Sequence, residues 1–326
     1  MYSYIVRRCL IMIPTLFAIS ILVFIVIELP PGDVVAIRLQ RLMRMNETQE
    51  MIENWRHRYG LDRPAYVRYW RWISRFVTGD LGYSLSWSMQ VYDVIAERFV
   101  LTAVISLLSL LFTWVMAFPI GIFSAVRQYS LGDYFWTVIG FLGLAIPNFL
   151  LALILMFLSY KYFPDLGVGG LFSQQFEGAP WSLAKVVNFL GHLWVPILVV
   201  GTAGTASLVR ILRANLIDEL KKPYVEMARS KGLSEVKVIL KYPLRIAINP
   251  FLSTVGWVLP SLISGTVITA VVLGLPTAGP IFLDALRTQD MQLAGAFVML
   301  SAALAVIGTL ISDILLAIVD PRIKYS

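Results

Sequence analysis

Residues 210–245 read RILRANLIDELKKPYVEMARSKGLSEVKVILKYPLR and form a long polar segment between two strongly apolar stretches. Nine basic and four acidic side chains lie in this segment. The flanking apolar stretches approach the length of about 20 residues at which a helix crosses a bilayer. The segment is therefore predicted to fold as a polar loop at one face of a membrane.

The first half of this polar loop is predicted to be a short helix. Pro223 suits a first helical position, because its missing N–H would have no partner there. The helix is expected to run through residues 224–231. Gly232 follows its basic end, which is the usual place for a left-handed helix stop. A tight turn is therefore predicted at Gly232.

The second half is predicted to be another helix, which Ser234 can cap. Glu235 lies in its first turn, where an acid complements the helix dipole. Val236, Ile239 and Leu240 share one face at helical spacing. The two helices could form a basic loop held at the membrane surface, which is the commoner case, or an element that docks on another protein. Composition alone does not choose between these two interpretations.

The composition of the chain is that of a membrane protein. Of its 326 residues, 58% are apolar and only 14% are charged, which is too apolar for a soluble domain. Basic residues gather at the cytoplasmic face of multispan proteins, so the net charge of +7 requires no nucleic acid. One cysteine and two histidines exclude an internal disulfide framework and argue against a metal site. Cys9 is predicted to be a buried small residue.

Six apolar runs are predicted to be membrane-spanning helices. They cover residues 9–29, 101–126, 135–160, 193–209, 251–275 and 294–319. Pro147 is expected to kink the third run. The fourth run is rich in small residues between Gly201 and Ser207, which favours a helix–helix interface over a substrate site.

The distribution of charge predicts which loops face the cytoplasm. Six spans that start from a cytoplasmic N-terminus place Arg127, residues 210–245 and the C-terminal Arg322 on one side, as the positive-inside rule requires. Residues 30–98 would then be external. Asp313 lies near the inner end of the last span, where a pair with an inner basic residue is the simplest way to accommodate its charge.

The external region is predicted to contain an amphipathic helix that starts near Asp62 and Pro64. Its apolar residues Val67, Trp70, Ile73 and Val77 recur at helical spacing, beside a stripe formed by Arg68, Arg71 and Arg75. Such a helix could lie on lipid head groups or form part of a docking face for an external binding protein. For the arginine stripe alone, the lipid interpretation is favoured.

No catalytic site is predicted. The sequence contains no G-x-x-x-x-G-K-[ST] phosphate loop, so the chain is not expected to supply an ATPase. It also offers no plausible set of nucleophile, base and metal ligands. We therefore expect that the chain is not an enzyme, has no catalytic residues and binds no metal.

Several motifs resemble those of ABC importer permeases, in the dipeptide, oligopeptide and nickel branch. Glu226-Met227-Ala228 and Gly232 resemble the family's E-A-A-x-x-x-G loop, with Met at the middle position, and Asn249-Pro250 follows as in that branch. The other matching motifs are Tyr4–Arg8, Leu29–Asp33, Tyr59–Pro64, Gly79–Ser84, Ala145–Phe149, Arg210–Asn215 and Asp320–Arg322. The family's arginine-aspartate-tyrosine-proline element is present only as Thr288–Met291.

The resemblance implies an all-α membrane protein with the type I ABC importer permease fold, six transmembrane helices and a long helical external loop after the first span. Residues 1–97 would form the first span and the external region. Residues 98–319 would form a five-helix core that includes the coupling loop 210–245, and residues 320–326 a cytoplasmic tail. The protein would lie in a bacterial or archaeal cytoplasmic membrane with both termini inside.

The resemblance also implies partners. These are a second related permease subunit, two ATPase subunits that bind ATP and Mg²⁺, a solute-binding protein and the lipid bilayer, but no nucleic acid. No cofactor is expected in this chain. The residues implied to couple to the ATPase are Glu226, Met227, Ala228, Arg229, Ser230, Lys231, Gly232 and Leu233.

The cargo implied by the resemblance is peptide or a related small solute, and the substrate-binding residues are not assigned. Close relatives carry nickel, opines and glycosides. The alternative is a secondary transporter or channel that works alone. Such transporters often have inverted repeats and an acid near mid-membrane, whereas no repeat is evident here and Asp313 is off-centre.

Overall fold

The computed structural model describes residues 2–28, 63–84, 86–162, 169–254, 256 and 267–319. Predictions that concern Leu29–Asp33, Asp62, the middle of the fifth predicted span and the C-terminal Asp320–Arg322 motif lie outside the described residues. Within the described part, secondary structure is almost entirely helical, and one two-stranded antiparallel hairpin is present. This agrees with the predicted all-α class.

The described elements fall into two groups along the chain. The first group is α1 (Tyr2–Glu28), α2 (Ala65–Val77), β1 (Tyr83–Ser84), β2 (Met89–Gln90), α3 (Val91–Val126), α4 (Leu131–Ala145) and α5 (Asn148–Tyr162). The second group is α6 (Leu183–His192), α7 (Trp194–Leu220), α8 (Pro223–Ser230), α9 (Glu235–Lys241), α10 (Pro243–Ala247), α11 (Val267–Val272), α12 (Ala278–Arg287) and α13 (Met291–Val319). Residues 249–254 are also helical.

Four described helices, α1, α3, α7 and α13, are long and apolar enough to cross a membrane. The pair α4 and α5 would bring the number to five if it counts as one broken span. Residues 255 and 257–266 of the fifth predicted span lie outside the described part. A multispan helical membrane protein is therefore confirmed, and the number of six spans stays a prediction.

The break at Pro147 is much sharper than the predicted kink. Helices α4 and α5 are bent by 104° relative to each other. The residue before a proline is pushed out of helical geometry, and Ile146 has an extended backbone with ψ 120°. Helix α5 then restarts, because the Pro147 carbonyl accepts hydrogen bonds from Leu150 N and Leu151 N at 2.9 and 3.1 Å.

One predicted boundary is wrong. Helix α7 does not end at Val209 but continues to Leu220, since the polar residues that follow are good helix formers and no proline occurs before Pro223. Two short helices lie between the predicted spans. Helix α6 precedes the fourth predicted span, and its N-cap Ser182 accepts a hydrogen bond from Lys185 N at 3.2 Å. Helix α12 precedes the sixth.

Contacts divide the chain into two compact units. One comprises Met1–Arg8, Val100–Pro280 and Ala305–Ser326, and the other comprises Cys9–Phe99 and Ile281–Leu304. Helices α1, α3, α12 and α13 each contribute residues to both units. Each unit has its own apolar core.

In the second unit, α2 packs on α1 through Tyr69. Its ring lies edge-on to Phe24 with a centroid distance of 5.4 Å, and its hydroxyl is 2.8 Å from Ser20 Oγ. Arg68 forms a 2.7 Å ion pair with Glu28 at the end of α1. Trp70 of the predicted apolar stripe is 60% exposed, and the neighbouring Tyr69 is buried. The contact with α1 is therefore made by Tyr69, and the binding of the stripe to lipid or to a binding protein stays a prediction.

Asp290 anchors the β hairpin in the same unit. Its carboxylate is almost fully buried, and it accepts hydrogen bonds from Ser84 Oγ at 2.6 Å and Ser86 N at 2.9 Å. It also accepts one from Leu293 N at 3.2 Å, in the first turn of α13. The segment Thr288–Met291, which departs from the family motif in sequence, therefore holds the β hairpin in place through its aspartate.

In the first unit, α7 packs closely against α3 at its small residues, as predicted. A Cβ atom built at Gly201 would lie 2.4 Å from Phe112 Cδ1, so only glycine fits there. Thr113 Oγ1 donates a 3.2 Å hydrogen bond to the Gly201 carbonyl. Helix α7 also packs against α4, α5, α6 and α10, which makes it the central helix of this unit.

The prediction for Asp313 is confirmed, and the prediction for Cys9 is wrong. Asp313 Oδ2 and Arg8 Nη1 form an ion pair at 3.0 Å. The geometry of this contact does not meet the criteria for a hydrogen bond. The pair holds the start of α1 beside the last turns of α13. Cys9 is exposed on the protein surface, because no described helix packs over that position of α1.

We predict that Gly201→Ala lowers the thermal unfolding midpoint in detergent, because the new methyl group overpacks the contact with Phe112 at a cost of about 1–3 kcal/mol. Gly191→Ala is the matched control. No atom lies within 4 Å of a Cβ at Gly191, and alanine is the better helix former there. Equal midpoints for the two variants would contradict the close α3–α7 packing.

Candidate functional site

The polar loop folds as a helical hairpin made of α8 and α9. Pro223 occupies the first turn of α8, as predicted, and Gly232 has a left-handed backbone with φ +73°. Gly232 N donates a 2.9 Å hydrogen bond to the Arg229 carbonyl, which closes the end of α8. Ser234 stands at the predicted N-cap of α9, but its side chain makes no capping hydrogen bond. The hairpin geometry is otherwise the predicted one.

The hairpin has a small apolar core of its own. Val225 and Val238 are fully buried and Ala228 is 4% exposed, with Tyr224, Leu233 and Tyr242 packed around them. The Tyr224 hydroxyl also donates to the Glu219 carboxylate at the end of α7. These contacts hold the hairpin in a defined position on the end of α7.

An ion pair joins the two helices on the outside of the hairpin. Arg229 Nε and Nη2 donate to the Glu235 carboxylate at 3.1 and 2.6 Å. This hydrogen bonding lowers the pKa of Glu235 and raises the pKa of Arg229. Both side chains are about half exposed, so water screens the pair and its contribution to stability is small.

Three large apolar side chains of the hairpin are exposed. Met227 is 60% exposed, Val236 67% and Leu240 55%. The predicted helix contains Val236, Ile239 and Leu240 at the expected spacing, but Ile239 is buried while Val236 and Leu240 are not. Val238 takes the inward position against α8 instead. The exposed side chains Met227, Val236 and Leu240 are called the hairpin patch below.

The eight predicted coupling residues fall into two groups. Ala228 and Leu233 pack in the hairpin core, so they support the fold of the hairpin rather than its outer surface. The others are exposed, and Ser230 Oγ donates to the backbone carbonyl of Glu226 at 3.0 Å. The exposed members are Glu226, Met227, Arg229, Ser230, Lys231 and Gly232.

A cavity of about 1040 Å³ lies in the first unit, between α3, α7 and the segment around Asn249. Ser207, Ile211 and Asn215 of α7 recur at helical spacing along one wall. Its polar lining consists of uncharged hydroxyl and amide groups together with three charged residues, Asp218, Glu219 and Lys222, which come from the end of α7 and the start of the loop. The uncharged polar residues are Ser106, Ser109, Thr113, Asn148, Ser207, Asn215, Asn249, Ser253 and Thr254.

Two motifs noted in the sequence contribute to this cavity. Asn148 follows the break at Pro147, and Asn249 with Pro250 follows the hairpin. Ser109 is 3% exposed, and its hydroxyl has no hydrogen-bond partner among the described residues. A buried hydroxyl without a partner costs free energy, so a solute or water in the cavity would stabilise it.

The cavity is the part of the site that the sequence did not assign. A polar stripe at helical spacing on α3, formed by Ser106, Ser109 and Thr113, was the signal that could have indicated it. Within the described residues, no group of three or more His, Cys, Asp or Glu side chains lies together where it could hold a metal ion.

The comparison with known families decides what kind of protein carries this hairpin and cavity. Residues 117–325 match the family described as binding-protein-dependent transport system inner membrane component, and residues 1–107 match the N-terminal domain of the same transport systems. The chain belongs to this family. It is thus an ABC importer permease of the peptide and nickel branch, as the motifs indicated.

Similar proteins cover the whole chain. The oligopeptide transport system permease protein AppB of Bacillus subtilis (strain 168) is 37% identical over 329 residues, with both chains fully covered. The glutathione transport system permease proteins GsiC of Shigella flexneri serotype 5b and Escherichia coli (strain K12) are 31% and 30% identical over 326 residues, again with both chains fully covered.

Family membership establishes the general role of the chain. Its members are permease components of transporters and not enzymes, and ATP hydrolysis belongs to partner subunits. The family name and the long apolar helices indicate a multi-pass protein of the inner membrane. The stand-alone transporter or channel considered from the sequence is therefore disfavoured.

We predict that Glu235→Gln changes the stability of the hairpin by less than about 1 kcal/mol, because the pair is solvent-screened. Since the pKa of Glu235 is lowered in the folded state, the pair stabilises the hairpin above the unfolded pKa and loses this effect as the pH falls through the lowered value. Amide hydrogen exchange of α8 and α9 measures both effects. Ala228→Leu, which overpacks the buried core, should accelerate exchange strongly, and equal exchange in the two variants would contradict this assignment.

Proposed function

We propose that the chain is one membrane half of an ATP-driven importer that translocates peptides or related small solutes. A solute-binding protein would deliver the cargo outside, a second homologous permease subunit would complete the pore, and two ATPase subunits with ATP and Mg²⁺ would dock inside. The peptide assignment follows the names of the relatives, which are oligopeptide and glutathione permeases.

The hairpin patch is the observation that carries the coupling part of this proposal. A polar hairpin with its own buried core gains nothing from exposing Met227, Val236 and Leu240 to water. Exposed large apolar side chains surrounded by polar residues are common at protein–protein interfaces. The basic side chains around the patch and the open left-handed turn at Gly232 would complete a surface that fits a groove on an ATPase subunit.

Two ion pairs support the proposed orientation, with six spans and both termini in the cytoplasm. Arg8 pairs with Asp313, so the start of α1 and the end of α13 lie at one face. Arg213 pairs with Asp133, so the turn before α4 lies beside the polar end of α7. Both pairs join segments that the positive-inside rule assigns to the cytoplasm. We retain the proposed division into residues 1–97, 98–319 and 320–326.

The cavity supports passage of a polar but largely uncharged solute. Its volume is at the upper end of the range for small-molecule sites, which is about 300–1,000 Å³. Hydroxyl and amide side chains can exchange hydrogen bonds with the N–H and C=O groups of a peptide without regard to its sequence. We propose that this cavity forms part of the translocation path, with Ser109 as one of the groups that contact the cargo.

We predict that Met227→Asp reduces co-purification of the ATPase subunits and ATP-dependent uptake by about tenfold, because burying one unpaired charge at an interface costs more than 1.4 kcal/mol. Met227 is mostly exposed, so thermal stability should not change. Met227→Leu, which keeps an apolar side chain, is the matched control. Unaltered co-purification with Met227→Asp would argue that the ATPase binds elsewhere.

We also predict that Ser109→Ala lowers the uptake rate at saturating binding protein by about two- to tenfold, since it removes one hydrogen bond to the cargo worth about 0.5–1.5 kcal/mol. The matched control is Ser106→Ala, because the Ser106 hydroxyl already donates to the Thr102 carbonyl at 2.6 Å. If both variants transport equally well, Ser109 does not contact the cargo.

A further inference from the structure

The ion pair between Asp133 and Arg213 lies close to the coupling hairpin and has the geometry of a rigid joint. Arg213 Nε donates to Asp133 Oδ1 at 2.9 Å, and Arg213 Nη2 donates to Oδ2 at 2.7 Å. This two-point contact fixes the guanidinium plane as well as its distance. The Asp133 side chain is only 3% exposed, so water does not compete for it.

The carboxylate of Asp133 also fixes the turn that connects α3 to α4. It accepts a 3.0 Å hydrogen bond from Tyr129 N, and Tyr129 has the left-handed backbone φ of +59°. A bulky residue rarely adopts this conformation without a specific contact that holds it. Asp133 therefore joins three segments, which are the end of α3, the start of α4 and the polar part of α7.

Close packing extends this joint along α4 and α7. A Cβ built at Gly143 would lie 3.0 Å from Thr202 Cγ2, and one at Gly140 would lie 3.9 Å from Ala206 Cβ. Including the ion pair between Asp133 and Arg213, residue numbers of the contacting pairs rise along α4 while they fall along α7. The helices are thus in antiparallel contact from the ion pair to within a few residues of the break at Pro147.

The two helices lead to the two parts of the functional site. Helix α7 ends at Leu220, and the hairpin helix α8 begins three residues later at Pro223. Helix α4 ends at Ala145, and Asn148 of the cavity wall follows directly after the break. A displacement of the hairpin that moves α7 would therefore carry α4 and Asn148 with it only while the two helices stay joined.

We propose that Asp133 and Arg213 are positioning residues that couple ATP-driven displacement of the hairpin to movement of the cavity wall. This inference rests on the proposed docking of an ATPase on the hairpin. The pair makes α4 and α7 move as one body, so that Asn148 and Ser207 shift together. Without the pair, only side-chain packing would join the two helices, so α4 would follow the displacement of α7 less completely.

The first test compares Asp133→Asn and Arg213→Lys with the matched control Arg210→Gln in the complete transporter, reconstituted in lipid vesicles with its ATPase subunits and binding protein. Arg210 is exposed on the same helix, one turn away. We expect Asp133→Asn and Arg213→Lys to keep hydrolysing ATP, while the amount of cargo moved per ATP falls about tenfold. A tenfold change lies within the usual range of coupling free energies between two sites. Arg210→Gln should keep the wild-type ratio.

Two results would overturn the inference. One is a wild-type amount of cargo moved per ATP in both Asp133→Asn and Arg213→Lys. The other is a lower amount of assembled complex with an unchanged amount of cargo per ATP, which is the result expected if the pair only stabilises the fold. If the wild-type chain binds no ATPase at all, the proposed function fails instead. The two failures are therefore distinguishable.

A second test does not depend on how well the variants fold, since losing one partner of a buried pair can be strongly destabilising. Cys9 is the chain's one cysteine, so Leu131→Cys and Ala214→Cys in a Cys9→Ser background allow spin labels on α4 and α7. Both positions are exposed. We expect the spacing between the labels to stay constant through the ATP cycle of the assembled transporter, and a change in that spacing would overturn the inference.

Discussion

Close approach of helix backbones at small residues is the interaction on which the rest of this structure depends. Lipid tails are as apolar as leucine, so helices in a bilayer associate through packing and hydrogen bonds rather than through exclusion of water. Gly201 lets α7 contact Phe112 of α3, and Gly143 lets α4 contact Thr202 of α7. Because α7 is held in this way, its polar face is free to line the cavity and its end is free to carry the hairpin.

The hairpin differs from the membrane helices in how it is stabilised. Its buried valines and alanine provide a small core in water, where burial of apolar surface does favour folding. The same solvent makes the exposed Met227, Val236 and Leu240 unfavourable until another surface covers them. One short segment therefore combines a self-supporting fold with an exposed apolar face.

Local rules predicted the parts of the fold that depend on neighbours in sequence. Pro223 and Gly232 bound α8 because each has a backbone preference of its own, and Asp313 found a basic partner because a charge in a span requires one. Apolar periodicity located both helices but did not determine which side chains are buried. On α2, Tyr69 is buried and Trp70 is exposed, and on α9, Val238 is buried and Val236 is exposed.

The cavity was not predicted, because a polar stripe on one helix does not determine how several helices are rotated around it. Ser109, Asn148 and Asn249 are far apart in sequence and come together only when α3, α7 and the segment after the hairpin are packed. The length of α7 was also underestimated, since the change from apolar to polar residues at Arg210 resembles a helix end when hydropathy alone is considered.

The uninterrupted length of α7 has a mechanical consequence. Its 27 residues make a rod of about 40 Å at a rise of about 1.5 Å per residue. A tilt of only ~10° about one end of such a rod displaces the other end by roughly 7 Å, which exceeds one helical turn. In the proposed importer, a small tilt at the hairpin end of α7 would thus be geometrically amplified at its other end, and a modest movement of the ATPase subunits would suffice to open or seal a passage for cargo.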